Sequence, residues 1–301
     1  MISTKITKAV IPAAGLGSRF LPVTKSIPKE MIPILDTPTI DLIVQEAIQS
    51  GITDILIIVS FTKYAIRNFY RRNVKLEKSL MKKGKQELYK KISKIGEGAK
   101  IRFKFQVSPK GLGHAIFLAR SFVKNQPFAV LLGDDVILKN NFNTLPAIKQ
   151  LIDVYEKYHK SVIGVKNVDK NEVNKYGIVA YKQYLDKNNK LCEINSMVEK
   201  PAIDQAPSTL AITGRYILTP EIFKHLAEQK IGIGGEIQLT DAILNLLNDQ
   251  KVYALNYEGI RYDIGSKSGL VKATIDFALK DPQMYNAISK HILEVVKQLK
   301  K

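Results

Sequence analysis

Lys8-Ala-Val-Ile-Pro-Ala-Ala-Gly-Leu-Gly-Ser-Arg19, with Pro28-Lys29-Glu30-Met31 after it, opens the chain on a short apolar run that stops at two glycines. Ala9, Val10 and Ile11 show no polar alternation, as a strand buried on both faces requires. Gly15 and Gly17 let the backbone turn sharply and point its N–H groups at a ligand with no Cβ in the way. Arg19 adds a planar fork of donors suited to phosphate, and Lys29 adds a point charge. The stretch reads as a triphosphate cradle built from Ala14, Gly15, Gly17, Arg19 and Lys29. It matches neither common phosphate motif, because the third glycine of a dinucleotide fingerprint falls at Phe20 and no G-K-[ST] comes after it. A plain strand-to-helix turn uses the same two glycines.

Working outward, Ile40, Ile43, Val44, Ala47 and Ile48 stripe one side of a helix opened by Thr37-Pro38-Thr39 and closed by Gly51. Ile55-Leu-Ile-Ile-Val59 is a second buried strand, so the start of the chain has the size of a right-handed βαβ unit. Residues 71–98 break that rhythm with a charged helical hairpin interrupted at Gly84. Ile101 to Val107 alternates as a half-exposed strand and runs into Ser108-Pro-Lys-Gly111-Leu-Gly-His-Ala115, with a helix expected from Ala115 to Val123. Phe128-Ala-Val-Leu-Leu132 is buried and ends at Gly133-Asp134-Asp135, where open α/β sheets bind ligands. Strand alternation aims only one of those carboxylates inward; Asp134 is favoured as a metal ligand, with Asp135 the alternative or a supporting residue.

A helix over Leu145 to Tyr158 and a strand at Val162 to Val165 come next. Tyr176-Gly177, Val198-Glu199-Lys200-Pro201, the glycine-interrupted strand Leu210 to Leu218 and Gly232-Ile-Gly-Gly-Glu236-Ile-Gln-Leu-Thr-Asp241 lie beyond them. Gly177 reads alone as a bulge or strand start, Glu199-Lys200 as a solvated pair, and Glu236 as a charge at a helix start. Val252 to Leu255 and Gly259 to Gly265 give the last strands, and the 267–301 segment is helical. Its final stripe, Ile288, Ile292, Val295, Val296 and Leu299, needs an apolar partner in this chain or in a second copy.

The 301 residues suit a single α/β domain, 1–301. One cysteine, Cys192, excludes an internal disulfide, and no His lies nearby in sequence to activate it. No run reaches the roughly 18 apolar residues of a membrane span, and the first residues lack a signal-peptide layout, so a cytoplasmic protein is expected. The net charge of +18 invites a nucleic-acid reading, but aromatics do not interleave with the lysines and no nucleic-acid motif is present. Much of the charge stands on helical faces, and a basic surface also steers anionic small molecules.

With the full spacing in view, G-x-G-x-R, nine residues, then Lys in P-K-E-M, the chain resembles the sugar-nucleotide pyrophosphorylases, and among them the bacterial branch that joins UTP to glucose 1-phosphate. The matches run in order from Lys8 to about Leu270. This resemblance implies a Rossmann-like three-layer nucleotidyltransferase fold with a mixed, mainly parallel central sheet. It implies that Gln106 reads the uracil with help from the Gly111 backbone, and an amide can indeed both donate to and accept from a pyrimidine edge. It further implies that Gly177 and Gly214 approach the hexose, Glu199 takes its hydroxyls, Lys200 holds its phosphate, and Asp263 joins Asp134 around Mg²⁺. The 71–98 insertion then covers the site or joins subunits, unless it is a plain solvated hairpin, and a homo-oligomer, dimer or tetramer, is expected. The implied reaction forms UDP-glucose and pyrophosphate without a general base. Two rivals stand beside it: a thymidylyltransferase on the same fold, and a silent, basic nucleic-acid-binding relative.

Overall fold

The computed structural model describes residues 5–228 and 235–300. The first apolar run forms β1 (Lys8–Ala13), and after two short strands, β2 (Pro33–Ile34) and β3 (Thr37–Pro38), the striped segment forms α1 (Thr39–Gln49). Then come β4 (Asp54–Val59), α2 (Tyr64–Tyr70), α3 (Val74–Lys82), α4 (Gln86–Ser93) and β5 (Lys100–Phe105). The middle of the chain gives α5 (Leu112–Leu118), α6 (Arg120–Val123), β6 (Phe128–Leu131), β7 (Asp135–Leu138), α7 (Ala147–Tyr158) and β8 (Val162–Asn167). The last third gives β9 (Gly177–Tyr184), β10 (Leu191–Glu199), β11 (Leu210–Leu218), α8 (Ile222–Glu228), α9 (Leu239–Leu246), β12 (Tyr253–Asn256), β13 (Ile260–Asp263), α10 (Lys267–Lys280) and α11 (Tyr285–Leu299).

Among the described residues nine strands form the central sheet, in the order β5-β4-β1-β6-β11-β8-β12-β10-β9. From pair to pair, only β10 and β11 run against the others, so the sheet is mixed and mainly parallel in direction. One further pair, Ala211 with Ile178, brings β9 back beside β11, so the far half of the sheet curls on itself. That curl carries Gly177 and Glu199, which face each other across β9 and β10, to the start of β11.

Side-chain alternation makes the layers. Val10, Leu56, Ile58, Phe128 and Val130 pack to one face against Ile116 of α5, Phe223 of α8 and Ile243 of α9. Ala9, Ile11, Ile55, Ile57, Ala129 and Leu131 pack to the other against Ile43 of α1 and Ile148 and Leu151 of α7. Strands buried on both faces need no polar residues, hence the continuous apolar runs. Truncating one such residue, for example Ile57→Ala, removes about 2–5 kcal/mol of packing.

Three local features differ from the sequence reading. The helix expected from Ala115 starts at Leu112 and divides at Ala119. The helix expected from Leu145 begins at Ala147, after Pro146. Beyond Asp135 the chain forms β7, whose partner is β13 rather than a strand of the central sheet. Val136, Leu138, Tyr262 and Ile264 pack this ribbon onto Ala273 of α10. No helix among the described residues is long and apolar enough to cross a membrane.

Candidate active site

The parallel strands β1, β4, β5 and β6 all end at one edge of the sheet, and the turns that leave those ends build the site. After β1, Ala14 is buried, and Gly17 turns with φ +70°, a conformation that disfavours any side chain. Thr24 Oγ1 donates to the Gly17 carbonyl at 2.8 Å and holds the turn closed. A Cβ at Gly17 would stand 3.2 Å from Cβ of Lys29, so Lys29 lies against the turn itself. The chain keeps Lys29 there through Glu30, whose buried carboxylate receives Lys63 Nζ at 2.7 Å on both oxygens. Burial pushes Glu30 up and Lys63 down, each toward its neutral form, while each partner's charge opposes that change. Glu30 Cγ also lies 3.4 Å from where a Cβ on Gly133 would be, so this pair underlies Lys29 and the turn to Asp134 together.

Lys29 Nζ lies 2.5 Å from Asp134 Oδ2. Burial pulls the Lys29 ammonium down, but the charges of Asp134, Glu30 and Asp263 outweigh it and leave the group raised. Burial likewise pushes Asp134 up, and Lys29 more than reverses this, so its carboxyl sits below the usual range. Both groups stay ionised at neutral pH.

The β7–β13 ribbon brings the third acid in. Asp263 pairs with Asp135 across the ribbon, and Ile264 N–H donates to the Asp134 carbonyl at 3.0 Å. A Cβ on Gly265 would stand 2.9 Å from Asp263 Oδ1 and 3.2 Å from Asp134 Oδ2, so the two carboxylates flank one point. Arg19, largely exposed, reaches to 4.0 Å from Asp263.

Asp135 faces elsewhere. Its Oδ2 accepts the Gly214 N–H at 2.7 Å and its Oδ1 accepts Arg261 Nε at 2.9 Å, in full burial. A Cβ on Gly214 would come within 2.5 Å of that Oδ2, so the glycine makes room for Asp135. Behind it Arg215, wholly buried, donates to both Glu46 oxygens and to the carbonyls of Gly214 and Asp135. Asp135, Arg261, Arg215 and Glu46 thus brace the floor from β7, β13, β11 and α1.

At the end of β5, buried Gln106 donates through Nε2 to the Gly111 carbonyl at 3.3 Å and to His114 Nδ1 at 2.9 Å. An amide nitrogen only donates, so Nδ1 accepts and His114 is neutral with its proton on Nε2. Burial, then the charge of Lys110, holds the imidazole below its usual value. In this arrangement Gly111 and His114 both engage the Gln106 amide nitrogen, not its carbonyl oxygen.

On the other flank Glu199 Oε2 receives Thr240 Oγ1 at 2.7 Å, and Glu199 Oε1 lies 3.8 Å from Lys200 Nζ. Lys200 adopts φ +48°, unusual for a residue with a side chain, as the chain leaves β10. Gly177 lies under the pair: a Cβ there would stand 3.0 Å from Glu199 Oε2.

The edge therefore gathers Ala14, Gly15, Gly17, Arg19, Lys29, Asp134 and Asp263 in one cluster, Gln106 and Gly111 in a second, and Gly177, Glu199 and Lys200 in a third. Asp135 and Gly214 form the floor. Gly232, Ile233 and Gly234 of the glycine-rich run lie outside the described residues. The sequence reading quoted His114 within its G-L-G-H motif without giving it a role, and gave none to Lys63, Arg261, Arg215 or Glu46. Besides the motif around His114, Arg215 carried a visible signal, a charge inside a mostly apolar strand that is buried at every position.

Among the described residues no three His, Cys, Asp or Glu side chains form a metal cage. Two neighbouring carboxylates are instead the donor set that Mg²⁺ uses when substrate phosphates and water complete its shell, and here Asp134 Oδ2 is met by Lys29 and Asp263 Oδ1 by the Gly265 N–H. Cys192 is a buried free thiol, and burial pushes it up to about 11, away from nucleophilic chemistry.

Comparison with known proteins places the chain among its relatives. The nucleotidyl transferase family model matches residues 8–279. A curated relative from Staphylococcus saprophyticus, named UTP–glucose-1-phosphate uridylyltransferase 2, is 52% identical over 296 residues, covering 98% of this chain and 99% of its own. A solved UDP-glucose pyrophosphorylase complexed with UDP-glucose is 38% identical with TM-score 0.82, over 92% of this chain and all of that one. A UTP-bound enzyme of the same kind from Acinetobacter baumannii is 37% identical with TM-score 0.88, over 96% of this chain and 99% of that one. By these likenesses the chain belongs to the nucleotidyl transferase family.

Proposed function

We propose that this protein transfers the uridylyl group of UTP to α-D-glucose 1-phosphate, releasing pyrophosphate. The observation that carries the reading is the convergence of Lys29, Asp134, Asp263 and Arg19 at the glycine turn, in a chain whose curated relatives include uridylyltransferases of this name.

A phosphate monoester has a second pKa of about 6, so glucose 1-phosphate arrives as a dianion and needs no base to attack. Its oxygen forms a bond to the α-phosphorus of UTP while the bond to the bridging oxygen breaks in line, and the electron pair leaves with pyrophosphate. The barrier is the mutual repulsion of two polyanions, so the protein contributes position and positive charge. Gly15 and Gly17 present backbone N–H groups to the triphosphate. Lys29, kept protonated by its acidic neighbours, and Arg19 take up the charge that grows on the departing pyrophosphate. Gln106, oriented by His114, reads the uracil edge. Lys200 anchors the attacking phosphate, and Glu199 accepts hydrogen bonds from the hexose. Mg²⁺ held by Asp134 and Asp263 would neutralise phosphate charge on both reactants. Asp135, occupied by Gly214 and Arg261, supports Asp134 from behind and is not assigned to the metal.

We further infer a homo-oligomer, because the apolar stripe of α11 stays open, and a cytoplasmic setting, because the lone cysteine is a free thiol that suits a reducing compartment. The test of the reaction is pyrophosphate release over UTP, dTTP, CTP and ATP with glucose 1-phosphate. UTP should exceed dTTP by roughly tenfold and the others by roughly a thousandfold, and withdrawing Mg²⁺ should cost roughly a hundredfold or more. Preference for dTTP would assign the thymidylyl reaction instead, and no release with any triphosphate would end the reading.

A further inference from the structure

The motif Glu236-Ile-Gln-Leu-Thr240 has no part in the phosphate chemistry, yet it touches two of the three clusters. Ile237 N–H donates to the Lys110 carbonyl at 2.8 Å, and Gly113 N–H donates to the Ile237 carbonyl at 2.8 Å. Those two bonds strap the segment to the loop that carries Gly111. The fit is close: a Cβ on Gly111 would stand 2.7 Å from Cβ of Glu236, and one on Gly113 would stand 2.8 Å from Cγ2 of Ile237. Three residues after Ile237, in the first turn of α9, Thr240 donates its hydroxyl to Glu199 Oε2 at 2.7 Å.

We propose that Thr240 is a positioning residue for the hexose site: its hydroxyl holds one oxygen of Glu199 and so turns the other toward the sugar. The strap at Ile237 fixes Thr240 relative to the base-reading loop, so the distance between base and hexose contacts is set by one short segment. A carboxylate on a mobile side chain has two equivalent oxygens and can rotate; a donor on Oε2 removes that freedom before the sugar binds. Gly177 serves the same end, since a Cβ there would stand 3.0 Å from Oε2 and 3.4 Å from Thr240 Oγ1. A hydrogen bond to a charged acceptor is among the stronger ones, so its loss should be visible in binding.

The proposal rests on Glu199 contacting the hexose, and the experiment separates the two. Steady-state pyrophosphate release is measured for the full chain and for Thr240→Val, Thr240→Ser, Glu199→Ala and the double variant Glu199→Ala/Thr240→Val. The expected result is a rise of about tenfold in KM for glucose 1-phosphate in Thr240→Val, with KM for UTP within twofold, restoration by Thr240→Ser, and no further loss from Thr240→Val once Glu199 is removed. Thr240→Ala reads the same effect if the valine variant does not fold. If Glu199→Ala raises KM for glucose 1-phosphate and Thr240→Val does not, the positioning role is overturned while the sugar site stands. If Glu199→Ala leaves that KM unchanged, the sugar-site assignment falls and the proposal falls with it. Equal losses in kcat for Thr240→Val and Thr240→Ser with both KM values unmoved would mark Thr240 as a packing residue and also overturn it.

Discussion

Gln106 can present a fixed amide face only while His114 remains an acceptor. Protonated imidazole carries a hydrogen on both nitrogens, so Nδ1 would confront the Gln106 N–H with another donor. Burial and Lys110 hold His114 below its ordinary value of 6.5, so the neutral form persists to lower pH than in a free side chain. On acidification the folded state takes up this proton later than the unfolded chain does, so stability from this group is present above 6.5 and is lost as pH falls through the lowered value. KM for UTP should therefore rise on acidification more steeply in the parent than in His114→Ala, whose remaining acid limb belongs to the substrates' own phosphates, and His114→Ala should raise KM for UTP above pH 6.5. Initial rates across a pH series check this; an acid limb as steep in His114→Ala as in the parent would contradict it. The motif G-L-G-H was readable at this position, but a histidine bonded to a glutamine eight residues away is a fact of folding that no spacing announces.

At the scale of elements, what periodicity could reach was legible and what depends on pairing partners was not. Ala9 to Ile11, Ile55 to Val59 and Phe128 to Leu131 are buried on both faces, so their continuous apolar runs could only be interior strands. Val136 and Ile137 were not read as a strand, because β7 exists by pairing with β13, far along the chain. That ribbon is what sets Asp263 beside Asp134, while Asp135, the first residue of β7, is held at the floor by the Gly214 N–H and Arg261. Candidate residues thus came from motifs, while their division into cleft and floor came from the ribbon. The least covered helix among the described residues is α11, which packs along α10 yet keeps Leu293 and Leu299 63% and 81% exposed and buries no residue. A second copy covering that stripe should leave Leu293→Glu/Leu299→Glu smaller in light scattering than the parent, with a dimer or tetramer becoming a monomer. A monomeric parent would contradict it.

For the whole molecule, 46 Lys and Arg against 28 Asp and Glu make a basic particle whose field draws polyanions toward it. Screening over about 8 Å at physiological salt confines that help to approach. The chemistry itself is left to the few charges held at the sheet edge, where Lys29 is fixed by the glycine turn, by Asp134 and by the buried Glu30–Lys63 pair beneath it. Such buried pairs contribute little net stability but constrain geometry, and breaking one by removing a partner costs about 3–5 kcal/mol. Lys29 differs in degree: both side chains of its pair with Asp134 still reach solvent, at 19% and 35% exposure, so its loss should cost the fold less. The decisive measurement is kcat for pyrophosphate release by Lys29→Ala, taken beside its melting temperature. If Lys29 carries the departing charge, kcat falls roughly a hundred- to a thousandfold while melting shifts by no more than a few degrees; a rate within about threefold of the parent would contradict that role.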